Sequence, residues 1–317
     1  MKKLKLIPDN TNIKFAEKRV ICVSLSVLFI VLSIVLYFTR GLNYGIDFEG
    51  GIMIEVKTPQ VAELAKIRSA LNSLDLGDVG IQTFGAPDDI LIRVEKQDGG
   101  DKAQEVAVTK IKDTLNKVIA GKPQYRRTEV VGPKVSGELK QQGFIAMTLA
   151  ILAMVIYVWF RFEWQFGVGT VLALIHDATL TIGFFSITRL EFNLSVVAAI
   201  LTIVGYSMND SVVVFDRIRE NLRKYKKMGL VDLINLSVNE TLSRTIMTAM
   251  TTFLALLALF FFGGEVIRAF SAAMLFGVFI GTYSSIYVGA PVLIWFNLRS
   301  EDVQIQAPSG AAKKNTP

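Results

Sequence analysis

Six long apolar stretches constrain this chain more than any other feature. A bilayer core of roughly 30 Å is crossed by about 20 residues of α-helix. Runs of that kind occupy residues 20–38, 143–160, 166–187, 194–215, 245–262 and 270–296. Hydrophobic residues make up 51% of the 317, and mean hydropathy is +0.44, more apolar surface than a water-soluble chain of this length hides. Charged residues are only 20%, which excludes a disordered or coiled-coil protein. The lone cysteine, Cys22, lies inside the first run, so neither a disulfide framework nor a cysteine zinc site is possible. That run is longer than the apolar region of a signal peptide and has no small-x-small cleavage site before Arg40, so it reads as a retained helix.

Basic residues orient the six expected helices. Lys2, Lys3, Lys5, Lys14, Lys18 and Arg19 precede the first, and Arg217, Arg219, Arg223, Lys224, Lys226 and Lys227 lie between the fourth and fifth. The links at Arg189/Glu191 and Glu265/Arg268 show no such excess. The positive-inside rule then places both termini in the cytoplasm, with residues 41–139 on the far side. That segment holds 13 Lys plus Arg against 15 Asp plus Glu. The net charge of +6 is therefore topogenic, and nucleic acid is not an expected partner. The domain plan is a cytoplasmic segment 1–19, a membrane helix 20–40, an extracytoplasmic domain 41–139, five helices in 140–298 with a basic loop 216–244, and a disordered tail 299–317.

Within 41–139 the periodicity changes from 2 to 3.6 and back. Strands are expected at 52–57, 81–84, 90–94 and 126–131, and amphipathic helices at 61–74 and around Val106, Ile111, Leu115 and Val118. The order βαββαβ predicts a ferredoxin-like α/β domain between helices one and two of an α-helical membrane protein. It contains no His or Cys and no acid cluster, which favours a handling or docking role over an enzyme.

No nucleotide loop, zinc-protease motif or nucleophile elbow occurs, so no cofactor, metal or hydrolytic activity is expected. The chemistry lies in polar residues inside the apolar runs. A charge at the bilayer centre costs at least about 2.5–3.5 kcal/mol, so such residues pair or serve transport. Asp210 lies about 8 Å inside the end of run four, and Arg244 opens run five at a matching depth, which predicts an Asp210–Arg244 pair able to alternate with protonation. The competing reading of that pair is a static bridge between helices. Asn209 is expected to support Asp210 by hydrogen bonding. His176 and Asp177 interrupt run three. At 100° apart they are not expected to share a neighbour, so one would relay protons and the other hold structure. Small residues recur on helix six at Ala273, Gly277, Gly281, Ser285 and Gly289, and on helix five at Thr248, Thr251, Ala255 and Ala258 together with Arg244, which places Arg244 toward protein. Gly45, Gly50 and Gly51 are read as a tight turn braced by Asp47, a structural rather than chemical role.

With Gly45-Ile-Asp-Phe-Glu-Gly-Gly51 after helix one, Val204-Gly-Tyr-Ser-Met-Asn-Asp-Ser211 in helix four, Ser243-Arg-Thr245 opening helix five and His176-Asp177 in helix three, the chain resembles the SecF family of protein-export membrane subunits, relatives of the resistance-nodulation-division transporters. Gly205 belongs to the helix-four motif. The resemblance spans all six helices and the intervening domain. It implies a tight complex with SecD beside the SecYEG channel, contact with insertase and accessory subunits, an unfolded secretory polypeptide as cargo, and proton-motive force as the energy source at the bacterial inner membrane. It also implies proton-coupling roles for Asp210 and Arg244. Half of a small-molecule exporter and a passive scaffold are the alternatives.

Overall fold

The computed structural model describes residues 11–298, so the expected disordered tail and residues 1–10 lie outside the described residues. Its elements in chain order are α1 (Arg19–Arg40), β1 (Asn43–Tyr44), α2 (Ile46–Glu49), β2 (Gly51–Lys57), α3 (Leu64–Asn72), β3 (Val79–Phe84), β4 (Ala86–Val94), α4 (Gly100–Val118) and β5 (Gln124–Val131). There follow α5 (Pro133–Arg161), α6 (Trp164–Thr188), β6 (Glu191–Phe192), α7 (Leu194–Lys224), α8 (Leu230–Phe262), α9 (Arg268–Ser284) and α10 (Ala290–Trp295). Among the described residues, six helices are long and apolar enough to cross a membrane: α1, α5, α6, α7, α8, and the continuous run through α9 and α10.

The helix bundle is apolar on the outside and carries buried polar side chains among its apolar core. On α1, Val20, Ile21, Leu28 and Phe38 are exposed while Ser26 and Ser33 are buried. In lipid there is no hydrophobic gain from burying Leu against Leu, so close approach and hydrogen bonds hold such helices together. Gly183 of α6 shows the first: a Cβ there would lie 3.0 Å from the Cα of Ser33. Gly277 of α9 meets Ile203 of α7 in the same manner, and Gly169 of α6 lies against the carbonyl of Gly289. The stripe on helix six thus packs against α6 and α7.

Helix ends depart from the apolar runs. α5 begins at Pro133, a residue suited to the first helical turn, well before its apolar stretch. α8 begins at Leu230. The stretch 216–244, expected as a basic loop, is therefore mostly helix, with only residues 225–229 forming the turn. Burial explains the correction: Leu222, Leu233, Ile234 and Val238 form an apolar core with Phe15 and Ala16 of the N-terminal segment. That segment is fastened by Ala16 N–H to Asn235 Oδ1 (2.8 Å) and Ile13 N–H to Asn239 Oδ1 (3.0 Å).

Between α1 and α5 the chain builds a four-stranded antiparallel sheet in the order β3-β4-β2-β5. On β2, Ile52, Ile54 and Val56 alternate into a core with Ile67 and Leu71 of α3 and Ile111 and Leu115 of α4. The fourth-strand expectation of 90–94 is too short, because β4 starts at Ala86 and only Gly85, with a left-handed φ of +84°, separates it from β3.

The domain docks on one end of the bundle through a second, two-stranded parallel sheet, β1 with β6, which pairs Asn43 with Glu191 and Tyr44 with Phe192. The tight turn expected at 45–51 is a one-turn helix, α2, bounded by Gly45 and Gly50. Gly45 has an ordinary extended φ, and its requirement is space, because a Cβ would sit 2.5 Å from Glu191 Oε1. Asp47 Oδ2 accepts the Leu194 N–H at 2.9 Å and so caps α7 together with Asn193. Asp47→Ala is expected to lower thermal stability by about 1 kcal/mol, the usual worth of a helix cap. An unchanged melting temperature would show that Asn193 suffices.

Across the same joint Arg93 of β4 donates to Tyr44 O (3.0 Å) and bridges Glu191 Oε2 (2.7 Å). Burial pushes the Glu191 carboxyl above its ordinary range, with Asp47 and Glu129 adding to the effect and Arg93 opposing it. A raised acid contributes stability below its unfolded pKa and loses it as pH rises through the folded value. Stability should therefore fall as pH rises through and above the ordinary carboxylate range, and Glu191→Gln, which mimics the protonated acid, should flatten that part of the profile. Parallel profiles would contradict this.

Candidate intramembrane polar site

Two carboxylates sit in the centre of the bundle, each held by hydroxyls from neighbouring helices. Asp177 of α6 is fully buried. Its Oδ2 accepts from Ser207 Oγ of α7 (2.5 Å) and Ser284 Oγ of α9 (2.8 Å), and its Oδ1 meets His176 Nδ1 at 2.8 Å. Asp210 of α7 is 9% exposed; it accepts from Thr245 Oγ1 of α8 (2.8 Å) at Oδ1 and from Ser285 Oγ (2.6 Å) at Oδ2. Ser207 and Asp210 are three residues apart on α7, a rise of about 4.5 Å, so that helix contacts Asp177 at one level and carries Asp210 at the next.

Helix six reaches both acids because its backbone changes character there. α9 ends at Ser284, and residues Ser285–Gly289 form a π-helical turn before α10. Such turns concentrate at functional sites. Here the transition places two adjacent serines on two different acids. Tyr283, one residue earlier, lies with its ring 6.0 Å from the His176 ring and donates to Cys22 O of α1 (2.8 Å), while Ser26 contacts its hydroxyl at 3.0 Å. The acid cluster is thereby tied to α1, which leads directly into β1 and the sheet domain.

Three expectations are corrected. Among the described residues no ion pair joins Asp210 to Arg244: Arg244 is exposed on α8, and its neighbour Thr245 is the residue that faces Asp210. The small-residue face of α8 that carries Arg244, with Thr248, Thr251, Ala255 and Ala258, is likewise exposed, so it does not turn toward this chain's own helices. Asn209 is exposed as well and makes no hydrogen bond to Asp210 among the described residues, since one residue along a helix turns the side chain by 100°. His176 and Asp177 do face different neighbours, Tyr283 for His176 and Ser207 and Ser284 for Asp177, and they also contact each other. Gly205 lies where a Cβ would meet nothing within 4 Å, so no contact inside this chain requires it.

Ser207, Thr245, Tyr283, Ser284 and Ser285 are site residues that sequence reasoning does not single out. Spacing carries part of the signal: Ser207 and Ser211 lie at i−3 and i+1 from Asp210, and Ser284-Ser285 is an adjacent hydroxyl pair in an apolar run. No group of three or more His, Cys, Asp or Glu is placed to hold a metal among the described residues.

A bundle that buries two acids among hydroxyl donors, with a small α/β domain docked on one end, defines a multi-pass membrane protein with an intramembrane polar site. Comparisons with known proteins specify it further. Residues 110–299 match the family model for the protein export membrane protein SecD/SecF, C-terminal, and residues 37–58 match the SecD/SecF GG motif. The chain is 46% identical to the protein translocase subunit SecF of Rickettsia bellii (strain OSU 85-389) over 92% of this chain and 96% of the relative. The same protein of Rickettsia akari (strain Hartford) is 46% identical over 92% of this chain and 94% of its own length. A crystal structure of SecDF, a translocon-associated membrane protein from Thermus thermophilus, superposes with a TM-score of 0.82 at 33% identity, covering 92% of this chain. The chain spans about 40% of the length of that SecDF chain. This chain belongs to the SecF family of protein translocase subunits.

Proposed function

We propose that this subunit couples the proton-motive force to export of unfolded secretory polypeptides across a bacterial inner membrane, as a non-enzymatic partner of SecD beside the SecYEG channel and its insertase and accessory subunits. The observation that carries the reading is the ligation of Asp177 and Asp210 by hydroxyls. A carboxylate locked by a guanidinium resists protonation, whereas one held by Ser and Thr can take up a proton, because a hydroxyl both donates and accepts. His176 supports the reading as a titratable neighbour of Asp177. Arg244 makes no ion pair with Asp210 among the described residues. Its exposed face of small residues supports a partner subunit packed there, which SecD fits as the other six-helix half.

The basic residues at the N-terminus and in 216–244 support cytoplasmic termini, with the sheet domain extracytoplasmic. The sheet order β3-β4-β2-β5 with helices α3 and α4 on one face supports a ferredoxin-like identity for residues 41–139. Two joints lead from the acids to that domain: Tyr283 through α1 to β1, and α7 through its Asp47 cap to α2. A change of proton occupancy thereby reaches the domain that handles the exported chain.

Translocation into inverted membrane vesicles, measured with and without an imposed proton gradient, tests the reading. Gradient-dependent export that requires Asp210, together with co-purification of a SecD-like subunit, is expected. A passive scaffold would leave gradient-driven export intact in Asp210→Asn.

A further inference from the structure

The hydroxyls of Ser284 and Ser285 each have two acceptors within reach. Ser284 Oγ lies 2.8 Å from Asp177 Oδ2 and 3.1 Å from the carbonyl of Gly281 on its own helix. Ser285 Oγ lies 2.6 Å from Asp210 Oδ2 and 3.1 Å from the carbonyl of Thr282. Ser207 and Thr245, the other two donors, have the carboxylate as their one acceptor among the described residues. We propose that Ser284 and Ser285 are positioning residues that act as two-state hydroxyl switches, one per acid, each turning between its carboxylate and its own helix as the acid binds and releases a proton.

The exchange balances without moving the backbone. While an acid is ionised, the serine O–H donates to it. When the acid gains a proton, its new O–H donates to the serine oxygen, and the serine hydrogen swings to the carbonyl one turn back, so every donor keeps an acceptor. A buried unsatisfied donor would otherwise cost about 1–3 kcal/mol in each cycle. The π-helical turn beginning at Ser285 allows adjacent serines to serve acids at two depths. Around Asp210 the titratable or charged groups are Tyr206 on its own helix, Arg244 on α8 and, one turn away, Asp177 on α6. Around Asp177 they are His176 on α6, Tyr283 on helix six and, beyond it, Cys22 on α1.

This inference rests on the proton-coupling reading, and one experiment separates the two. Gradient-driven translocation by the assembled complex in vesicles is recorded against pH for the parent chain, S284A, S285A, S285T and D210N. S285A should move the midpoint of the pH profile of gradient-driven export up by about one unit, tenfold in proton affinity, because the bond lost by the ionised acid is charge-assisted and stronger than the one lost by the protonated acid. S284A should shift the profile in the same direction. S285T, which retains the hydroxyl, should restore the parent profile. If D210N abolishes export while S284A and S285A leave the midpoint unmoved, the switch is overturned and proton coupling stands. If D210N exports normally, the coupling reading itself has failed. Should S285A not accumulate, S285C, a weak donor of similar size, must show the same upward shift or the switch is refuted.

Discussion

Asp210→Asn is expected to reduce gradient-driven translocation to the level seen without a gradient, a loss of about 100-fold or more if the proton-carrying step governs the rate. The substitution changes little in shape. The introduced amide would accept from one of Thr245 and Ser285 through its single oxygen, while its nitrogen would present hydrogens to the other. The bundle does not depend on that charge, since Gly183, Gly277 and Gly169 bring the helices together. The complex should therefore assemble, insert and co-purify normally, and translocation driven without the gradient should continue. The loss would be confined to the gradient-dependent component. Equal export by D210N and parent at every imposed gradient would show that the carboxyl only packs.

Gly51→Val is expected to destabilise the sheet domain by about 3 kcal/mol or more, enough to leave it largely unfolded. Gly51 has a φ of +125°, a region that β-branched residues avoid, and a Cβ there would lie 2.5 Å from the carbonyl oxygen of Val94. That carbonyl belongs to the backbone of the adjacent strand, so relief requires β2 and β4 to separate. Limited proteolysis of membranes should then cut residues 51–131 in the variant and spare them in the parent. Gly205→Ala provides the contrast: its Cβ would meet nothing within 4 Å, and Ala is the better helix former by roughly 1 kcal/mol, so this variant should melt no lower than the parent. Equal protease resistance for Gly51→Val would mean that the strand entry relaxes freely.

How much of this is legible in the residues depends on what hydropathy encodes. Six membrane helices can be read because twenty apolar residues in a row have few other uses, and the strands of the domain because Ile52, Ile54 and Val56 alternate cleanly. The ends of α5 and α8 cannot, because Lys134, Glu138 and Lys140, or Asp232 and Glu240, lower the local hydropathy where the helix has left the apolar layer. The pairing of β1 with β6 is invisible for another reason: two residues carry no period, and their partners lie on opposite sides of the whole domain in sequence.

The site shows the same limit more sharply. Counting residues from the end of an apolar run fixes depth, and it places Asp210 and the start of helix five at one level. It does not fix azimuth, which turns 100° with each residue. Depth alone therefore assigns Arg244 and Asn209 to Asp210, where Thr245 and Ser285 stand. Ser285 reads as a packing residue within a small-residue stripe, because a serine that packs and a serine that donates look alike in sequence. The π-helical turn that separates Ser284 from Ser285 in role leaves no local mark in composition.

Proton occupancy of the buried acids is the most direct thing to measure. Infrared difference spectra of the assembled complex in vesicles, recorded with and without an imposed proton gradient, report the carboxylic acid C=O band. The predicted result is a gradient-dependent change in that band, diminished in Asp210→Asn and in Asp177→Asn. A band that stays constant under the gradient in the parent, while export proceeds, would contradict proton uptake at these acids.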